Sequence, residues 1–338
     1  MKKELLSMNI RQLEELLACM GEKRFVARQL KQWLNKGVPF ENMTNLSASL
    51  RGSLRESFSE GYARLVEEHR SKDGTQKYIL RLSDGILIEC VLMRYKHGNT
   101  LCVSTQAGCR MGCVFCASGK NGLKRNLNAG EMRAQLIAAS FDSKISNVVL
   151  MGSGEPLDNY DNTLKFIRAL PDDFGIGFRH ISLSTCGLAS GILRFANEGI
   201  PVTLCISLHA ATDEKRKKIM PVANAYYIKQ ILEAAKVYFK KTGRRIIIEY
   251  TLIKGFNDGR DDIEALARLL KGLACHVNVI PLNTGDDTDC SLKAPPAKGA
   301  YAFAAALESS GVSATVRRAL GGDIKGACGQ LVYKKEAE

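Results

Sequence analysis

No stretch of this sequence stays apolar for the roughly 18–20 residues that a bilayer-spanning helix needs. The N-terminus, MKKELLSMNIRQLEELL, starts basic but soon carries acids and amides, so it lacks the apolar core of a secretory signal. With nothing routing the chain elsewhere, the cytoplasm is the expected compartment. Internal repeats and low-complexity segments are also missing. Acids are outnumbered: 35 Asp and Glu stand against 48 Lys and Arg, a net charge of +13. An excess of that size points to a polyanionic partner, and RNA or DNA fits it better than a membrane surface. Charge alone fits a merely basic soluble protein equally well. The eleven cysteines are an odd number in a chain with no export signal. That argues against a disulfide framework and for metal binding, catalysis or burial.

What is present suffices for one large domain and a smaller one: 338 residues, 45% of them apolar. Up to residue 58 the apolar residues recur at helical spacing, as in Leu13, Leu16, Leu17 and Met20, or Val26, Leu30 and Trp33. Between 63 and 95, short alternating runs break at Asp73-Gly74 and Asp84-Gly85, the pattern of small β-hairpins. From about residue 100, Val- and Ile-rich strands alternate with helices. The expected strands are Leu101–Thr105, Asn147–Met151, His180–Ser184, Val202–Leu208, Arg245–Ile253 and His276–Leu282. Their nearly continuous apolar character suits parallel strands covered on both faces. The expected fold is α/β: a partial (β/α)6 barrel with an N-terminal helical domain and a small β-hairpin extension. The parts are residues 1–60, 61–98, 99–318 and a tail, 319–338, that holds Cys328.

Directly after the first barrel strand stands Cys109-Arg110-Met111-Gly112-Cys113-Val114-Phe115-Cys116, the spacing CxxxCxxC. Three thiolates on one short loop can each bind one iron of a cubane and leave the fourth iron open to a small ligand. A structural zinc site needs four ligands in paired CxxC spacings, and no second pair exists. Three packing cysteines within eight residues of a Gly-containing loop would be an odd way to build a core. Glu155, Ser184, Ser207, His209 and Asn283 all fall at or just past the ends of expected strands, where barrel enzymes build their sites.

At these residues the chain resembles the radical S-adenosylmethionine superfamily, and within it the RlmN/Cfr family of rRNA adenine methyltransferases. The strings GEKRFVARQLKQWLNKGV, TLCVSTQAGCRMGCVFCAS, LMGSGEPLDNYDN, LSTCGL, ISLHA, IEYTLIKGFND, VNVIPLN and GGDIKGACGQL carry the likeness in order over almost the whole chain. The resemblance implies a radical-SAM barrel, a 4Fe-4S cluster on Cys109, Cys113 and Cys116, and S-adenosyl-L-methionine held by Gly154, Glu155, Ser184, Ser207, Leu208, His209 and Asn283. It implies that Cys328 carries a methyl group on its sulfur, and that Cys102 resolves the protein–RNA link by proton removal and a disulfide with Cys328. Glu89, in ILIECV, matches an acid sometimes assigned as a base, although a cross-strand charge explains it nearly as well. The implied reaction is methylation of adenosine C2 in 23S rRNA, in an assembling ribosome, and for some relatives also in tRNA beside the anticodon. Further implications are an external one-electron reductant such as flavodoxin, no membrane, a monomer, and an RNA-docking role for the N-terminal helices.

Two other readings stay open at this point: a Cfr-type enzyme methylating C8 of the same base, and a non-catalytic iron–sulfur RNA-binding protein. Lys215-Arg216-Lys217-Lys218, Lys240-Lys241 with Arg244-Arg245, and Arg317-Arg318 are candidate phosphate contacts, although any one of them is as readily a solvated face. Cys19, Cys90, Cys186, Cys205, Cys275 and Cys290 have no role in the resemblance, and packing is expected for most of them.

Overall fold

The computed structural model of the chain describes residues 2–96, 98–141, 143–283 and 291–331, so Cys290 lies outside the described residues. A short strand β1 (Lys3–Glu4) leads into helices α1 (Ile10–Cys19), α2 (Arg24–Asn35) and α3 (Ala48–Ser57), and β2 (Phe58–Ser59) returns to pair with β1. Asn9 begins α1 in a capping box with Gln12, and the Ser47 hydroxyl caps α3. Leu13 and Leu17, Val26, Ala27, Leu30 and Leu34, and Leu50 and Leu54 turn inward at helical spacing. They form a core of their own that also takes in Ala134 and Ile137 of α4 (Ala129–Ser140). Asn128 and Glu131 close a reciprocal capping box at the start of α4, as the Asn-x-x-Glu spacing suggested.

Strands β3 (Arg64–Arg70), β4 (Gln76–Arg81), β5 (Leu87–Tyr95) and β6 (Gly98–Cys102) form an antiparallel meander, turning at Asp73-Gly74 and Asp84-Gly85. The hairpins expected as an extension continue the barrel sheet, because β6 pairs antiparallel with β5 on one side and parallel with β9 (Ile145–Leu150) on the other. A second small sheet, β7 (Gln106–Gly108) with β8 (Leu123–Asn126), flanks the cysteine loop.

The parallel run continues through β10 (Ile181–Thr185), β11 (Thr203–Ser207), β12 (Ile246–Leu252), β13 (Cys275–Pro281) and β14 (Ala314–Val316). The ten-stranded sheet is therefore ordered β14-β13-β12-β11-β10-β9-β6-β5-β4-β3. Six of the seven parallel strands match the expectation to within a few residues. The seventh, β14, is three residues long, too short to leave a periodic signal. Helices α5 (Tyr160–Phe174), α6 (Ala189–Asn197), α7 (Asp213–Ile219), α8 (Ile228–Thr242), α9 (Arg260–Leu270) and α10 (Ala297–Ser309) fill the connections. Their buried faces and the apolar strand residues share one continuous core. Among the described residues no helix is long and apolar enough to cross a membrane.

Candidate functional site

A cavity of about 920 Å³, part of it open to solvent, lies at the C-terminal ends of the parallel strands. Cys109, Cys113 and Cys116 line it from the loop after β7. That loop is tied down by main-chain bonds: Cys109 N–H to Gly122 O (3.1 Å), Val114 N–H to Ile219 O (3.1 Å) and Cys116 N–H to Cys113 O (3.1 Å). Burial raises all three thiols above their ordinary value, Cys109 to about 12, and for Cys109 and Cys113 the charge of the neighbouring loop cysteines acts in the same direction. A strongly positive centre reverses that balance by binding the deprotonated sulfurs. Three soft sulfur donors on one wall of one cavity therefore fit an iron–sulfur cluster. Among the described residues, no three His, Cys, Asp or Glu side chains converge on a single-ion site.

The opposite walls come from strand ends. Gly154, Glu155, Ser184, Ser207, His209 and Asn283 all line the same cavity. Gly154 has φ 104°, and a Cβ there would lie 2.5 Å from Gln106 Cβ. The glycine is thus needed for close approach to the β7 backbone rather than to the open space. Glu155 is buried, and burial pushes its carboxyl up, opposed by bonds from the Cys186 N–H (2.7 Å) and the Leu157 N–H (3.0 Å). The Cys186 and Thr185 side chains also bond the carboxylate and act in the same direction as those two main-chain bonds. Leu208 is different. Its side chain belongs to the core, and its carbonyl accepts from Arg216 Nε (3.2 Å) beneath the cavity wall.

Cys328 reaches this cavity from the C-terminal tail. Asn283 Nδ2 donates to its carbonyl (3.1 Å), and the tail is strapped to the cysteine loop by Ala117 N–H to Gly329 O (2.8 Å) and Ser118 Oγ to Leu331 O (2.5 Å). Farther back, Gly321 N–H donates to Asp73 Oδ2 (2.9 Å) and Ser71 Oγ to Asp323 Oδ1 (2.6 Å), fixing the tail to the β3–β4 turn. Cys102, at the end of β6, shares with Cys328 the wall of an adjoining smaller cavity, and both are free thiols. Burial raises the Cys102 thiol to about 12, with Cys328 adding to the effect. Glu89 lines neither cavity. It is buried in β5, where its carboxylate faces Lys77 Nζ at 3.4 Å, and that ammonium also donates to the Lys325 carbonyl of the tail (3.5 Å).

Two of the expected phosphate contacts are overturned. Arg216 is fully buried, donating to the carbonyls of Cys186, Leu208, Tyr226 and Ser207, so it braces strand ends instead of meeting phosphate. Arg317 lines both cavities beside Cys328 and pairs with Glu249 at 3.4 Å. Lys218, Lys240, Lys241, Arg245 and Arg318 remain exposed. Among the charged and thiol-bearing side chains of the cavity, three were not expected there: Glu249, Arg317 and Cys186. The last was available in principle, since it stands two residues past Ser184 on the same strand end, whereas Arg317 looked like half of a surface dibasic pair.

Residues 103–270 match the radical SAM superfamily, and residues 3–59 match the ribosomal RNA large subunit methyltransferase N-terminal domain. A probable dual-specificity RNA methyltransferase RlmN of Clostridium perfringens strain 13 is 49% identical over 97% of this chain and 96% of its own length. The protein of the same description from Alkaliphilus oremlandii is 48% identical over 98% of both chains. The crystal structure of a radical SAM methyltransferase from Sphaerobacter thermophilus superposes with a TM-score of 0.93 at 41% identity, over 97% of this chain and 99% of that one. Full-length identity of this order, over a cavity that gathers the three loop cysteines and the tail cysteine, leads to one conclusion: the chain belongs to the RlmN family of radical S-adenosylmethionine RNA methyltransferases.

Proposed function

We propose that this protein methylates C2 of an adenosine at the peptidyl transferase centre of 23S rRNA, and the adenosine next to the anticodon of tRNA, through a methylated Cys328. The observation that carries the proposal is the placement of Cys328 in one cavity with Cys109, Cys113 and Cys116, and in the adjoining cavity with Cys102. When bound, a 4Fe-4S cluster and S-adenosylmethionine supply an electron, a carbon radical and a methyl group there.

The chain's own residues do the rest. Cys109, Cys113 and Cys116 would hold the cluster, and Gly154, Glu155, Ser184, Ser207, His209 and Asn283 would orient S-adenosylmethionine, with Leu208 packed behind them in the core. The Cys328 sulfur gives up its proton and accepts the methyl group. That methyl group would lose one hydrogen atom to the carbon radical and then join C2 of the adenine, an electron-poor position that an ordinary polar methyl transfer does not reach, with the odd electron of the adduct passing to the cluster site. Cys102 takes the C2 proton. Its sulfur would then bond to that of Cys328, breaking the S–C bond, while the proton it took passes to the released carbon and completes the methyl group. The Arg317 guanidinium lines both cavities beside Cys328 and pairs with Glu249. Glu89 is set to act through Lys77 on the tail rather than on the base. Residues 1–60 dock RNA, the adenosine enters unpaired or extruded, and a one-electron carrier such as flavodoxin supplies the electron.

The test is anaerobic incubation of cluster-loaded protein with reductant, S-adenosylmethionine and a 23S rRNA fragment, followed by mass spectrometry of the nucleosides. The expected product is 2-methyladenosine. A peak of 8-methyladenosine overturns the C2 assignment, and release of 5′-deoxyadenosine with no methylated nucleoside overturns the rRNA substrate.

A further inference from the structure

His209 is one of two non-glycine residues with positive φ among the described residues, at 57°. A side chain in the left-handed region costs free energy, and such a conformation persists only where its surroundings over-determine it. Its ring is held as firmly as its backbone. The Thr251 main-chain N–H donates to Nδ1 at 2.9 Å, and the edge-to-face ring of Phe115 packs at 4.9 Å between centroids. A main-chain N–H can only donate, so Nδ1 carries no proton. Burial, with the charge of Arg216 adding to it, lowers the imidazole to about 3, so the ring is neutral. Its single proton therefore sits on Nε2, and the cavity wall gains one hydrogen-bond donor of fixed identity.

One side chain links the parts of this arrangement. Asn257, in the loop after β12, is fully buried. Its amide nitrogen donates to His209 O at 2.8 Å and to Thr251 O at 2.8 Å, while Oδ1 accepts from the Ile253 N–H at 2.7 Å. Both amide protons are used, one on each of the two residues that define the His209 geometry. We propose that Asn257 is the positioning residue that holds His209 in its strained backbone and, through Thr251, keeps its ring proton on Nε2, towards the cofactor. The inference rests on the reading that His209 contacts S-adenosylmethionine, and extends it to a residue that does not line the cavity.

Asn257→Asp tests it with little change in size. It replaces the amide nitrogen by an oxygen facing two carbonyls, and the Oδ1 acceptor for Ile253 is kept. Tyr250→Phe is the control for loop damage, because it removes a bond to the Asn257 main-chain carbonyl (3.0 Å) and leaves the Asn257 side-chain amide unchanged. The first readout is the imidazole tautomer of His209 in the full-length, cluster-loaded protein, from nitrogen-15 NMR with the signal identified by His209→Gln. The native protein and Tyr250→Phe are expected to show bare Nδ1 and protonated Nε2, and Asn257→Asp a mixture. The second readout is S-adenosylmethionine affinity by equilibrium dialysis. Losing one fixed hydrogen bond corresponds to about tenfold weaker binding. Asn257→Asp and His209→Ala are each expected to show it, with the double variant no weaker than either alone.

A single Nε2–H tautomer in folded Asn257→Asp overturns the proposal, as does full additivity in the double variant. Native affinity in His209→Ala overturns the cofactor contact instead, and the tautomer measurement then decides the Asn257 clamp by itself. If Asn257→Asp does not fold, Asn257→Ser, which keeps one donor, replaces it under the same two criteria.

Discussion

At the scale of single residues, position in the fold separates side chains that the sequence presents as equals. Lys215, Arg216, Lys217 and Lys218 read as one basic run, yet Arg216 is fully buried under four carbonyls while Lys218 is exposed and meets Glu214 one helical turn away. Arg216→Ala is expected to destabilise the protein by about 3–5 kcal/mol, since it strands buried acceptors at the ends of β10 and β11. Lys218→Ala changes stability by less than about 0.5 kcal/mol. Denaturant titration of both variants measures the contrast, and equal losses would refute it. The cysteines divide in the same way. Cys328→Ala is expected to keep the cluster and to release 5′-deoxyadenosine while making no methylated RNA, whereas Cys113→Ala fails to hold the cluster. Iron analysis, absorbance and nucleoside mass spectrometry read these outcomes. Methylation by Cys328→Ala would sink the methyl-cysteine route.

At the scale of elements, the C-terminal tail shows how a segment without periodicity acquires a conformation. Its beginning hangs on the β3–β4 turn, where Asp73 accepts from the Gly321 and Thr75 main-chain N–H groups. Desolvation alone would raise the Asp73 carboxyl, but hydrogen bonds from Thr75, Gly321 and Ser71 together outweigh it and hold the group at about 2. A carboxyl lowered on folding contributes stability that is complete above its unfolded value, near 4, and is lost as pH falls towards 2. The tail is therefore expected to loosen between about pH 4 and pH 2, seen as faster proteolysis or hydrogen exchange around residues 321–328. Asp73→Asn is expected to shrink that pH step, Asp323 being lowered in the same anchor by Ser71 and Lys72, and an unchanged profile in this variant would exclude Asp73 as the anchor. Strands β9 to β13 were legible beforehand because buried parallel strands must be apolar on both faces. The tail was not, since its anchors are single polar atoms from residues some 250 positions away.

At the scale of the whole molecule, the N-terminal helices are joined to the barrel by a buried polar link. Arg133 of α4 donates to Leu6 O (2.6 Å) and Asn35 Oδ1 (2.6 Å) and pairs with Asp173 of α5 at 2.9 Å, and Asp173 also meets Lys31 of α2 at 2.8 Å. Arg133→Ala is expected to cost about 2–3 kcal/mol, less than a fully orphaned buried ion because Lys31 still faces Asp173. It is also expected to separate the unfolding of residues 1–60 from that of the barrel, as calorimetry would reveal. A single transition with unchanged midpoint would refute the link.

The sequence by itself determined the helical N-terminal unit, six of the seven parallel strands, and the loop of Cys109, Cys113 and Cys116. Periodicity and spacing are local properties, written within a few residues of one another. Only the tertiary structure decided that the hairpins extend the barrel sheet, that Arg216 and Arg317 turn inward, and that Cys328 sits in the cavity of the three loop cysteines. Each of these depends on contacts between residues far apart in the chain, where a hydrogen bond or a buried charge is satisfied by a partner that no local pattern specifies.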